Sequence, residues 1–202
     1  MKLLNKEELK QFASVGDNVQ IDSSVQFVHP ENVSIGSNVR VDAFTIITAT
    51  HKITIGNYIH IAAFCQLQTS GGEIIIHDFA GISSRCSLFT ASDDYVDGFM
   101  TGPMVGEQFK KLDKGNIVLH RHAIVGCNFI IMPGITLCEG ASVGALSFVN
   151  KDVNAYTVVA GVPAKQIALR DREQLQEMEQ MFNWYARDSL AYKQEEIYYA
   201  LE

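Results

Sequence analysis

Large aliphatic residues recur every six positions at Leu119, Val125, Ile131, Leu137, Val143 and Val149. Residues of small to medium size, Ala123, Ile135, Ala141, Ser147 and Val153, stand four positions after members of this series. The same phase runs upstream in triplets: Val15, Ile21 and Phe27; Ile35, Val41 and Ile47; Ile55, Ile61 and Leu67; Ile76, Ile82 and Leu88. The triplets begin at 15, 35, 55, 76 and 119, and so exceed the eighteen residues of three hexads by 2, 2, 3 and 25. A side of six residues cannot bury an apolar face alone, but stacked triangular coils set each aliphatic on its predecessor and build a continuous column. The expectation is all-β, a three-sided parallel β-helix with turn insertions. A sandwich would need longer alternating strands and hairpin signals, which the hexads lack. The handedness of the coil does not follow from the repeat. Glycine and Asn/Asp after the aliphatic position, as in Val15-Gly16-Asp17-Asn18, Ile35-Gly36-Ser37-Asn38 and Ile55-Gly56-Asn57, are expected to supply positive φ at the corners.

The largest excess, residues 90–116, has no hexad phase and contains Gly98, Gly102, Pro103, Gly106 and Gly115. Long loops inside regular scaffolds usually carry function. Its Phe99, Met100, Met104 and Phe109 suggest packing, with a neighbouring copy of the chain as the natural partner. The ends differ from the body. Residues 1–14 read as a helical cap, because Asn5 followed by Glu8 has capping-box spacing. The helix domain is expected over 15–167. From about Ala168 the period becomes 3.6, with Leu169, Leu175, Met178, Phe182 and Tyr185 on one face, so 168–202 reads as an amphipathic helical segment.

A formal charge of −7 and a pI near 5.3 argue against nucleic acid or an anionic membrane as partner, since both select basic surfaces. Any anionic ligand must be met by local cations. The opening "MKLLNKEELKQF" lacks the apolar run of a signal peptide and nothing later reaches membrane-span length, which points to the cytoplasm and to no membrane insertion. Cys65, Cys86, Cys127 and Cys138 show neither a CxxC pair nor metal-type spacing and are expected to be reduced and buried.

The phrases "IMPGITL", "VGALSFVNKDV" and "AGVPAK" together resemble the terminal coils of the hexapeptide-repeat (isoleucine-patch) acyltransferases, in the galactoside and xenobiotic acetyltransferase branch. The resemblance covers roughly residues 15 to 170. It implies a left-handed β-helix, a homotrimer, and transfer of an acyl group, usually acetyl, from coenzyme A at clefts between subunits. The stretch "GGEIIIHDFAGISSRCSLFTASDDYVDGFMTGPMV" resembles a narrower group, the dTDP-4-amino-4,6-dideoxyglucose acyltransferases and related enzymes of surface-polysaccharide synthesis. On this resemblance Cys127, Ala145, Asn150, Lys151 and Lys165 match coenzyme A contacts. Asn150 stands where threonine is usual and Cys127 where serine or alanine is usual. Gly126 and Gly144 are expected to let the backbone approach the pantetheine, and Lys151 and Lys165 to neutralise phosphates. The bland alternative makes the glycines corners and the lysines solvated surface.

In that branch a histidine after the last hexad before the loop acts as general base; the matching position here is Asp93. An ordinary Asp, with a pKa about 3 units below working pH, gives up about 4 kcal/mol of driving force against a base matched to pH 7. That is poor chemistry on a sugar hydroxyl. An amine, intrinsically nucleophilic once neutral, needs less help, and Asp93 with Asp94 would attract and orient its ammonium form. The expectation is therefore acetyl-CoA-dependent acetylation of a nucleotide-linked amino sugar. The alternatives are O-acetylation of a sugar or glycan and an inert β-helix scaffold. His60 is a further candidate base, and Ser84 and Tyr95 candidate acceptor contacts. His120 and His122, an H-x-H expected with both rings on one face, raise the related γ-class carbonic anhydrases, but the rest of that ligand set is missing, and no metal is expected.

Overall fold

The computed structural model describes residues 2–188, with side chains to Ala186. It resolves into two units, Met1–Arg170 and Asp171–Glu202. The first is a three-sided parallel β-helix of six coils and a partial seventh. Its first face stacks Ser14–Val15, Val33–Ile35, Ile53–Ile55, Ile74–Ile76, Ile117–Leu119 and Thr136–Leu137. The second stacks Val19–Ile21, Val39–Val41, Ile59–Ile61, Gly81–Ile82, Ile124–Val125, Ser142–Val143 and Thr157–Gly161. The third stacks Gln26–Val28, Ile46–Thr48, Gln66–Gln68, Ser87–Phe89, Ile130–Ile131 and Phe148–Val149.

The register follows the hexad count. Val33 pairs with Ile53, Ile53 with Ile74, Ile74 with Ile117 and Val118 with Thr136, which are steps of 20, 21, 43 and 18. In the first four coils the residues beyond eighteen lie between a third-face strand and the next first-face strand, so one edge of the prism carries the insertions and the long loop. The aliphatic columns fill the interior: Ile35, Ile55, Ile76, Leu119 and Leu137 are all buried, as are Val41, Ile61, Ile82, Val125 and Val143. Polar side chains at inner corners bond to carbonyls of the adjoining coil. Thr45 Oγ1 donates to Ala62 O at 3.1 Å, Cys65 Sγ to Ser83 O at 3.1 Å and Cys86 Sγ to Gly126 O at 3.2 Å. Among the described residues no buried side-chain polar atom lacks a partner.

The corners bear out the expectation of positive φ at Asn18 and Asn38 and correct it for the glycines. Gly16, Gly36 and Gly56 do not carry positive φ. A Cβ on Gly36 would meet Gly56 O at 2.5 Å, so the missing side chain serves close stacking of coils. Positive φ falls two residues later, at Asn18, Asn38, Tyr58, Phe79 and His122, and at Phe44, Phe64, Arg85, Asn128 and Leu146 on the next edge. Gly126 and Gly144 behave like Gly36: added Cβ atoms would meet Ala145 N at 2.5 Å and Ala160 Cβ at 2.9 Å. The close approach they allow is of one coil to the next.

At the N-terminus, helix α1 (Lys6–Leu9) has the expected capping box: Asn5 Oδ1 accepts from the Glu7 and Glu8 amides, and Glu8 from the Asn5 amide. Phe12 is buried edge-on against Phe27 at 4.8 Å, so this segment closes the first coil. At the other end Thr157–Gly161 turns back into Ala164–Leu169, antiparallel. Leu169 is therefore in a strand, and helix α2 starts later than expected, at Arg172, running to Asp188. The rest of the segment expected to 202 lies outside the described residues.

Candidate active site

The edge between the second and third faces lines up three residues named from sequence. Ala43, Ala63, Ser84, Cys127 and Ala145 each precede a positive-φ residue and sit on successive coils. The amides of Phe64, Arg85, Asn128 and Leu146 donate to the carbonyls of Ala43, Ala63, Ser84 and Cys127 at 3.1, 3.0, 3.0 and 2.8 Å. Ser84, Cys127 and Ala145 thus form one column although 43 and 18 residues separate them in sequence. Cys127 is exposed there, against the expectation of burial, as its position points outward; Cys65 and Cys86 point inward and are buried, while Cys138 is half-buried.

Beside this column lies a groove of about 270 Å³ lined by His60, Ala62, Gly81, Ser83, Ser84 and Cys127. Gly81 pairs in register between His60 and Ile124, and a Cβ there would meet Ile124 alone, at 3.8 Å. The missing side chain opens the groove. His60 Nε2 lies 2.7 Å from Asp42 Oδ2, and Asp42 Oδ1 accepts from Arg40 Nε at 2.7 Å. Burial opposes ionisation of Asp42, but the hydrogen bonds from His60 and Arg40 outweigh it and hold the carboxyl below its usual range. An ionised Asp42 can only accept, so His60 donates its Nε2–H in this bond.

Asp93 lies across the third face, at the edge that carries the loop. The loop is folded at its base: Ala91–Asp93 pairs antiparallel with Leu112–Lys114. A groove of about 500 Å³, within the range of small-molecule sites, is lined by Asp93, Tyr95, Phe89, Ile130, Pro133 and Phe148. Asp93 Oδ1 accepts a long hydrogen bond from the Gly102 amide at 3.4 Å. Asp94 does not share this groove. It lies just beyond strand Ala91–Asp93, outside the groove's lining, and its Oδ2 accepts from the Asp97 amide at 2.8 Å. Desolvation opposes its ionisation, but the amides of Val96, Asp97 and Phe99 and the Lys111 charge prevail, leaving the carboxyl below its usual value. Adjacent in sequence, the two carboxylates have separate surroundings.

The remaining cofactor candidates flank the last coils. Asn150 and Lys151 follow Phe148–Val149 and line, with Ala164 and Gln166, a depression of about 180 Å³. Lys165 pairs in register with Ala160 in the terminal hairpin, which is tied to the column below it by the Gly161 amide on Ser147 Oγ at 3.1 Å. Among the described residues, the ion pairs include neither Lys151 nor Lys165. Two cations outside those ion pairs, above a column whose Cys127 and Ala145 are exposed, suit a long anionic thioester donor.

The paired histidines do not face one another. His120 stacks on His77 at 5.0 Å, and His122, at a corner with φ 60°, stacks on Phe79 at 5.1 Å. Among the described residues no group of three or more His, Cys, Asp or Glu is placed to hold a metal. Sequence reasoning passed over Asp42, Gly81, Phe44, Phe64 and Arg85. A signal existed for the last three, since each stands three places after a second-face aliphatic: Val41, Ile61 and Ile82.

No family model matches the chain. It is 39% identical to the dTDP-4-amino-4,6-dideoxy-D-glucose acyltransferase of Escherichia coli, over 90% of this chain and 95% of that protein. The structure of AntD, an N-acyltransferase from Bacillus cereus, in complex with dTDP and 3-hydroxybutyryl-CoA, superposes with a TM-score of 0.86 at 36% identity, covering 92% of this chain and 100% of AntD. A serine-to-cysteine form of AntD, in complex with dTDP-4-amino-4,6-dideoxyglucose and coenzyme A, superposes with a TM-score of 0.85 at 36% identity, covering 90% and 97%.

Proposed function

The chain belongs to the hexapeptide-repeat acyltransferases, and from that premise we propose that it moves an acetyl group from acetyl-CoA to the amino group of a dTDP-linked 4-amino-4,6-dideoxy sugar. The reaction belongs to surface-polysaccharide synthesis in the cytoplasm and is run by a homotrimer. The observation that carries this reading is an aspartate, Asp93, in a groove of small-molecule size at the position where the hydroxyl-acylating branch keeps a histidine.

The donor supplies an activated thioester and a thiol leaving group; the other tasks fall to the chain. Cys127 and Ala145 line the track of the pantetheine arm, and Asn150, Lys151 and Lys165 meet the anionic end. Asp93 attracts the acceptor's ammonium group and takes one proton from it, freeing the nitrogen lone pair. Ser84 and Tyr95 position the sugar. The carbon–nitrogen bond forms as the carbon–sulfur bond breaks, and the departing sulfur takes up a second nitrogen proton. Within one chain Ser84 and Asp93 lie on opposite sides of a third-face strand, Ser87–Phe89. We therefore assign each site to two subunits, Asp93 from one and Ser84 with His60 from its neighbour.

One observation supports a second reading. His60 held by Asp42 beside Ser84 is an arrangement that can activate a hydroxyl. Free-thiol release from acetyl-CoA, with dTDP-linked amino sugars and their hydroxyl counterparts as acceptors, separates the two. N-acylation expects turnover with the amine, at least a hundredfold lower in Asp93→Asn and little changed in His60→Gln. Turnover with the hydroxyl that depends on His60 would replace the amine reading with O-acetylation.

A further inference from the structure

We infer that Phe44, Phe64 and Arg85, stacked along the edge between the second and third faces, form a subsite for the nucleoside diphosphate of the acceptor. The inference rests on the reading of the acceptor as a nucleotide-linked sugar.

All three residues adopt left-handed backbone, with φ of 59°, 62° and 60°. Side chains larger than Asn or Gly are rare in that region. On the adjoining edge the equivalent early positions are Asn18 and Asn38, the ordinary occupants. Bulky side chains at strained corners call for a return, and the core does not provide it, since the Phe44 and Phe64 side chains lie outside the buried cluster, 59% and 53% exposed. The rings are stacked, with centroids 5.2 Å apart and planes 22° from parallel. The Arg85 guanidinium carbon lies 5.7 Å from the Phe64 ring centre. Among the described residues, the ion pairs do not include Arg85, on a chain whose formal charge is −7. A second column, Tyr58, Phe79 and His122, stacks on the other edge, but Arg121 lies over Phe79 at 4.6 Å and the grooves at Ser84 and Asp93 are elsewhere.

Position selects the ligand. Ser84 adjoins Arg85 and lines the groove with His60 and Cys127. Cys127 and Ala145 continue the column toward the C-terminal coils, where the donor is assigned. An acceptor reacting at Ser84 must extend the other way, over Arg85, Phe64 and Phe44. Coils rise about 4.8 Å each, so these three residues cover about 10 Å of edge, enough for a diphosphate followed by a nucleoside. A guanidinium suits a diphosphate, and exposed aromatic faces suit a pyrimidine base.

The test compares wild type with Phe64→Leu, Phe64→Tyr, Phe44→Leu and Arg85→Gln, reading dTDP binding by titration calorimetry alongside KM for a dTDP-linked amino sugar and for acetyl-CoA. The expected result is a dTDP Kd and an acceptor KM raised about tenfold in Phe64→Leu and Arg85→Gln. Phe64→Tyr, which keeps the ring, should bind as wild type, and KM for acetyl-CoA should stay within about twofold. Wild-type turnover of the dTDP sugar with unchanged dTDP binding in folded Phe64→Leu and Arg85→Gln overturns the subsite while leaving the proposed function intact. Loss of oligomeric state with normal dTDP binding assigns the stack to a contact between copies and overturns it too. Failure of wild type to bind dTDP overturns both the subsite and the acceptor reading.

Discussion

Asp93 and Asp94 show how little sequence adjacency says about shared chemistry. Asp93 faces a groove with Tyr95, whereas Asp94 holds the loop by accepting backbone amides. Asp94→Asn should therefore retain most turnover but unlock residues 96–99, seen as faster amide exchange there. Its pH signature has a definite sign. A carboxyl whose folded pKa is depressed stabilises the fold above its unfolded pKa, and that contribution is lost as pH falls through the folded value. The thermal-midpoint advantage of wild type over Asp94→Asn should be present at pH 6 and shrink below about pH 4. An advantage that grows on acidification would contradict this assignment. Asp42 has the same sign for the same reason, with His60 and Arg40 as donors, so Asp42→Asn should cost stability at neutral pH and release His60 from its fixed orientation.

At the scale of a coil, glycine has two uses that residue type does not distinguish. Gly36 sits where a Cβ would press on backbone, 2.5 Å from Gly56 O and 2.7 Å from Gly56 C. Gly36→Ala should destabilise by about 1–3 kcal/mol, because neither coil can yield without opening the ladder. Gly81 meets nothing closer than 3.8 Å, so Gly81→Ala should leave thermal unfolding nearly unchanged and instead narrow the groove beside His60. Equal loss of stability in the two variants would refute this distinction. The inner-corner hydroxyls and thiols act at the same scale: each repays its own burial by bonding to a carbonyl of the adjoining coil, so Thr45→Val should cost about 1 kcal/mol.

For the whole molecule, the separation of Ser84 and Asp93 across a face sets the strongest prediction. If the chain forms the proposed trimer and each active site takes Asp93 from one subunit and Ser84 from the next, the Asp93→Asn and Ser84→Ala forms are each inactive by themselves. Random reassembly of the two in equal amounts restores about a quarter of the sites. Thiol release after co-refolding measures it, and sedimentation checks that the species is a trimer. No recovery in verified mixed trimers would place both residues in one subunit's site. The described helices contain none long and apolar enough to cross a membrane.

Much of this architecture was legible in residue order. The steps of 20, 20, 21 and 43 between coils follow from counting aliphatics, because stacking like on like is a nearest-neighbour rule with a fixed period. The capping box and the place of the long loop were equally local. What residue order left open depended on three dimensions. The surroundings of Asp93 and Asp94 are set by how the long loop folds on its own base, and whether a glycine spares a backbone clash or opens a groove is set by the coil above or below. Ser84 and Cys127 become neighbours because a long excursion returns to its starting edge, and Phe44 comes to stack on Phe64 because coils repeat in register. Periodicity fixes which aliphatics stack from coil to coil; the contacts of the outward-facing and loop side chains, from which the candidate site is built, form only when the prism closes.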